Sequence, residues 1–142
     1  MAAKPTGTHT PHHVRVVTAS ERYEGRQRAD IAAGISAESV GARRLCMHLV
    51  TIPPGARGEI HLHQDHESAL FILEGSAVTS YGPGLAYQAM AEAGDFVYIP
   101  AGMAHQAVNL SATEPVRAVL ARTDPSEQES VVLLTSDGHP RP

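Results

Sequence analysis

The sequence has one cysteine and no tryptophan, and aromatic residues make up only 4% of its 142 positions. The single cysteine, Cys46, excludes a disulfide within the chain. Positive charge is not in excess: 11 Lys and Arg stand against 15 Asp and Glu, a formal net charge of −4. That leaves no basic field of the kind that holds nucleic acid. No apolar run approaches the ~20 residues needed to cross a bilayer. The opening MAAKPTGTHTPHH has no apolar signal-peptide core. A cytoplasmic protein with neither nucleic acid nor membrane as partner is the expectation. Apolar residues reach 42%, ordinary for a globular chain, and the length fits one domain able to bury a core.

Histidine, by contrast, is abundant, with nine residues. His9, His12 and His13 fall in a Thr/Pro-rich leader, and residues 1–13 read as a flexible arm ahead of a domain over 14–142. VRVV (14–17) reads as a short strand, and the Gly-punctuated 20–34 as a loop, short helix or arm. From residue 43 onward, short apolar stretches recur every 8 to 12 residues between Gly, Pro, Asp and Asn. They are 43–52, 69–75, 77–82, 85–94, 95–102, 105–111, 116–123 and 129–135. This spacing predicts an all-β sandwich or barrel. GPG at 82–84 is read as a hairpin turn.

EIHLHQDHESALFILEG (59–75) concentrates the histidines. His61 and His63 are two apart, so in a strand both rings point to one face. Imidazole nitrogens suit zinc, iron, copper and nickel. Gly55, His61, His63 and Gly75 carry one set of spacings, and Gly94, Pro100, Gly102, His105 and Asn109 carry a second. Together these resemble the two motifs of the cupin superfamily, over about residues 43 to 123. The resemblance implies a double-stranded β-helix, or jelly-roll barrel, with His61, His63 and His105 on a divalent metal.

The fourth ligand departs from the family pattern. Counting back from Gly75, the family's glutamate falls at Ser68. Glu67 is one residue off and in an unbroken strand faces the other way. His66 shares the parity of Ser68, so the expected set is His61, His63, His66 and His105. Glu67 is the alternative, either as a ligand through a bulge or as an acid that orients a ligand histidine. Zinc is the expected ion, with Fe2+, Ni2+ or Mn2+ as alternatives.

HLHQDHESALFILEG, AGDFVYIPAGMAHQAVNLS and LARTDPSEQESVVLL are similar to the small single-domain cupins of aromatic polyketide pathways, the resistomycin and tetracenomycin cyclases. That resemblance implies metal-assisted aldol closure and aromatisation of a poly-β-ketone chain in antibiotic biosynthesis. Metal-bound water or a ligand-shell histidine would be the base. The implied partners are the polyketide, components of its synthase, and a second copy of the chain. The alternatives are a cupin oxygenase acting on a phenol or diketone, and a non-catalytic cupin that binds a small molecule. His48 and Cys46 read as core residues, the tyrosines 81, 87 and 98 as packing residues, and Arg122 as structural, paired to an acid such as Asp124 or anchoring a turn.

Overall fold

A computed structural model describes residues 13–20, 22–26, 29–127 and 130–142. Apart from His13, the expected arm lies outside the described residues. Among the described residues, eleven strands, numbered in chain order, form two antiparallel sheets. The first is ordered β1 (Tyr23–Glu24), β2 (Asp30–Ile35), β3 (Cys46–Ile52), β10 (Val116–Arg122), β5 (Ser68–Glu74), β8 (Phe96–Ile99). The second is ordered β11 (Val132–Leu133), β4 (His61–Leu62), β9 (His105–Val108), β6 (Ser76–Tyr81), β7 (Tyr87–Glu92). The chain is thus nearly all β, a two-sheet barrel as the turn spacing predicts.

Period-2 patterning explains how the larger sheet faces the interior. Along VRAVLAR, Val116, Ala118, Leu120 and Arg122 are buried while the residues between them are half exposed. Register carries this face across the sheet. Leu120 lies opposite His48 of β3 and Leu70 of β5, and Arg122 lies opposite Cys46 and Ser68. Ile72, Ala91 and Ala118, with Leu70 and Val97 packed against them, form the core. The outer face of the same sheet is also apolar but uncovered. Met47, Leu73, Phe96 and Tyr98 are exposed there, Phe96 at 82%.

Gly75 closes the tight corner between β5 and β6. Its φ is +79°, and a Cβ at this position would stand 2.4 Å from the Pro115 carbonyl oxygen. Only glycine fits both conditions.

The structure differs from expectation in several places. Residues 14–17 form no strand, and Val14 and Val16 are 97% and 82% exposed. The stretch 20–34 supplies β1 and most of β2, which pairs with β3 of its own chain. A one-turn helix, α1 (Ala37–Val40), follows. It is capped reciprocally by Ser36 and Ser39 and ended by Gly41 in the left-handed conformation. The segments around His61 and Val132 contribute strands of only two residues each. The 85–94 segment, by contrast, is strand as expected, over Tyr87–Glu92, and β6 pairs with it along its length despite its helix-forming composition. No helix among the described residues is long and apolar enough to cross a membrane.

Candidate metal centre

β4 and β9 are antiparallel neighbours, and their register sets His61 directly opposite His105. Such residues point to the same face, and His63, just past the end of β4, joins them. The three rings converge. Each offers one ring nitrogen, and these atoms all lie within 4.8 Å of one another. Ring centroids are 4.2 Å apart for His61 and His105 and 5.1 Å for His61 and His63. All three residues are buried.

The outer nitrogen of each ring is held by the backbone. His61 Nδ1 donates to the Glu59 carbonyl at 2.7 Å, His105 Nδ1 to Met103 at 2.8 Å, and His63 Nδ1 to Ser130 at 3.2 Å. Carbonyl oxygens only accept, so each Nδ1 carries the proton and each Nε2 keeps its lone pair. That is the arrangement a metal-binding imidazole needs. His63 Nε2 is buried with no hydrogen-bond partner, an orphaned acceptor that a bound cation would satisfy. The rings are also held neutral. Burial, then His105 and Arg122, lower the His61 pKa to about 3. Burial, then Arg122 and the other two histidines, lower that of His63 to about 2. His105 is lowered mainly by burial, against the bond to Met103 that raises it. Three neutral imidazoles at this spacing fit a divalent transition metal.

The other expected ligand positions lie elsewhere. His66 is not part of the group: its Nε2 is 3.8 Å from Asp124 Oδ2. Residues 63–67 are not strand, so the parity that placed His66 beside the other rings does not hold there. Glu67 is exposed, and its Oε1 accepts a 2.7 Å bond from the Tyr98 hydroxyl, which raises the Tyr98 pKa. Glu67 therefore orients no histidine; the backbone does that. Burial would raise the Asp124 carboxyl, but bonds from Ser130 and Ser126 and the nearby His66 outweigh it and lower its pKa.

Ser68 is the position the spacing assigns to a carboxylate. It is buried, and its Oγ accepts a 3.0 Å bond from Arg122 Nε. Arg122 is itself only 5% exposed. It is paired with Ser68 across the sheet rather than with Asp124, and it makes a further contact besides. Its place beside the site was missed in the sequence. The signal was present in VRAVLAR, where Arg122 has the same parity as the apolar residues that face inward.

A cavity of about 110 Å³ opens between the two sheets. His61, His105, Ser68 and Arg122 line one part, and small aliphatic residues such as Ala77, Ala91 and Ala118 line much of the rest. A second space of about 220 Å³ shares Thr79, Val97, Ile99 and His105 and adds Tyr81 and Tyr98. It lies where β7 and β8, the outermost strands of their sheets, are not paired with each other. Tyr81 also stacks on Tyr87 at 5.6 Å. His48 is a core residue as expected: its Nδ1 accepts from the Gly34 amide. Cys46 beside it is buried.

Residues 48–121 match the Cupin domain family. No curated protein sequence matches the chain. Among solved structures, it is similar to Bacillus subtilis oxalate decarboxylase, at 24% identity and a TM-score of 0.67, over 81% of this chain and 30% of that one. It thus spans about a third of the decarboxylase's length. A putative sugar phosphate isomerase from Acidithiobacillus ferrooxidans is 28% identical with a TM-score of 0.55, over 72% of this chain and 67% of that one. The Schizosaccharomyces pombe Cnp3 cupin domain is 16% identical with a TM-score of 0.58, over 70% of this chain and 66% of that one. With the family match spanning both strands that carry its clustered histidines, the chain belongs to the cupin family.

Proposed function

We propose that this cupin is a metal-dependent polyketide cyclase, closing and aromatising rings of a poly-β-ketone chain by aldol condensation and loss of water. The observation that carries the reading is a buried three-histidine cluster opening onto a small, apolar cavity. His61, His63 and His105 would hold the ion, and their all-nitrogen donor set favours zinc. A divalent metal in that place supplies Lewis acidity towards a substrate carbonyl and acidifies the adjacent methylene. The Mn(II) centres of Bacillus subtilis oxalate decarboxylase make manganese the first alternative.

The chain's own residues do the rest. Backbone carbonyls of Glu59, Met103 and Ser130 fix the imidazoles in one tautomer. The aliphatic walls bind the uncharged part of the ketide and exclude water. The cavity, about 110 Å³, is somewhat smaller than the roughly 150 Å³ space that holds a benzene molecule, so it takes at most one ring-sized section of a chain. The adjoining space by Tyr81 and Tyr98 offers room for the remainder. Holding two carbonyl carbons of one chain in register is a proximity effect. The putative sugar phosphate isomerase suggests a carbohydrate substrate as a second reading, but the aliphatic walls offer few partners for several hydroxyls.

The reading takes a homodimer as the working form. It is supported by the exposed apolar outer face around Phe96 and Tyr98 and by the uncovered Val14 and Val16.

The test is conversion of a synthetic poly-β-ketone thioester, followed by mass spectrometry. Zinc-loaded protein is expected to give a dehydrated cyclic product that His105→Ala does not. Wild-type cyclisation by folded, metal-free His105→Ala contradicts the mechanism.

A further inference from the structure

Among the described residues, the charged side chains that line the cavity beside the histidines are all basic. Two arginines, Arg57 at its exposed rim and Arg122 in its interior, line it together with His61 and His105, and no Asp or Glu lines it among the described residues. The histidine group likewise includes no carboxylate. Three neutral imidazoles leave the charge of a divalent ion uncompensated by the residues that hold it. Arg122 stays charged at any ordinary pH. It is buried, held at Nε by the equally buried Ser68, and lines the same cavity as His61 and His105. A guanidinium so placed is suited to a planar oxyanion.

We propose that Ser68 and Arg122 form an anion-binding element of the metal site, so that the ligand taken there is a small oxyanion, a carboxylate or the enolate of a β-dicarbonyl. Arg122 recognises the anionic oxygen and Ser68 positions the guanidinium. The cationic pair and the apolar walls together select a compact anion with an aliphatic body over a neutral polyol. This rests on the three-histidine metal site and names the charge state of the group that the proposed cyclase acts on.

Full-length protein loaded with Co(II) tests the proposal, because the visible spectrum reports what enters the ion's surroundings. Titration with acetate and with acetylacetone separates the carboxylate from the enolate, and acetone is the neutral control. A saturable spectral change with one anion or both, and none with acetone, is expected. Arg122→Met should weaken anion binding about tenfold or more, while Co(II) affinity in a chelator competition is retained or raised, because a cation beside the ion is removed. Arg122→Lys should recover part of the anion affinity, and Ser68→Ala should lose less than Arg122→Met. Equal anion affinity in the wild type and Arg122→Met overturns the proposal, as does no response to either anion or no uptake of Co(II). Should Arg122→Met fail to fold, wild-type anion affinity in both Arg122→Lys and Ser68→Ala overturns it. Anion binding without ring closure of a ketide leaves this proposal standing and rejects the cyclase. Ring closure by a protein whose anion affinity ignores Arg122 does the reverse.

Discussion

At Asn109 one buried side chain ties three stretches of backbone together. Its amide donates to the carbonyls of Ile52, Pro53 and Glu114, and its Oδ1 accepts from the Ser111 amide. It holds the ends of β3 and β9 and the turn into β10 in fixed relation. Replacement by alanine removes these bonds from a buried position, at a cost of about 2 kcal/mol, which urea denaturation would read as a lower midpoint. The histidines give a residue-scale prediction of opposite character. In the metal-free protein the folded pKa values of His61 and His63 are about 3 and about 2, below the ordinary 6.5. Between those values and 6.5 the unfolded chain binds the extra protons. Stability is therefore full above about pH 6.5 and falls as pH drops, by up to about 1.4 kcal/mol per pH unit for each histidine. Denaturation of chelator-treated protein across this range checks the slope, and His61→Gln should flatten it. A flat profile in the wild type contradicts the buried neutral assignment.

Among the elements, β5 and β10 build the wall beside the histidines, since their register sets Ser68 against Arg122. The corner at Gly75 fixes where β5 ends. Gly75→Ala meets both a positive φ and the Pro115 carbonyl, and should cost about 2 kcal/mol or more, measurable as a lowered thermal midpoint. Success at that substitution would mean the β5–β6 corner relaxes freely. Elements were legible in the sequence where a sheet imposes its period. The strands from Cys46 to Arg122 follow alternation and turn residues, and so do the histidines that lie on or against β4 and β9. Legibility failed where the chain leaves the ladder. Residues 63–67 loop out of strand geometry, so counting by twos misplaced His66. The 14–17 segment has strand composition without a partner strand, and β1, β2 and α1 arise from pairing and capping that local apolar pattern does not announce. Arg122 reads from its neighbours as structural, and its bond to Ser68 agrees; its inward parity also signals the place it takes beside the histidines.

At the scale of the whole molecule, the two sheets enclose the three-histidine cluster while the outer face of the larger one stays bare. The exposed Met47, Leu73, Phe96 and Tyr98 predict self-association through that face. Light scattering should give twice the chain mass, and Phe96→Lys should give a monomer that still binds metal. A wild-type monomer at micromolar concentration contradicts this. Three histidines are expected to hold one ion, with His66, 3.8 Å from Asp124, taking no part. Native mass spectrometry of zinc-loaded wild type, His63→Ala and His66→Ala decides this. One ion per chain is expected in the wild type and in His66→Ala, and none in His63→Ala. Retention of the ion by His63→Ala together with its loss from His66→Ala would contradict it.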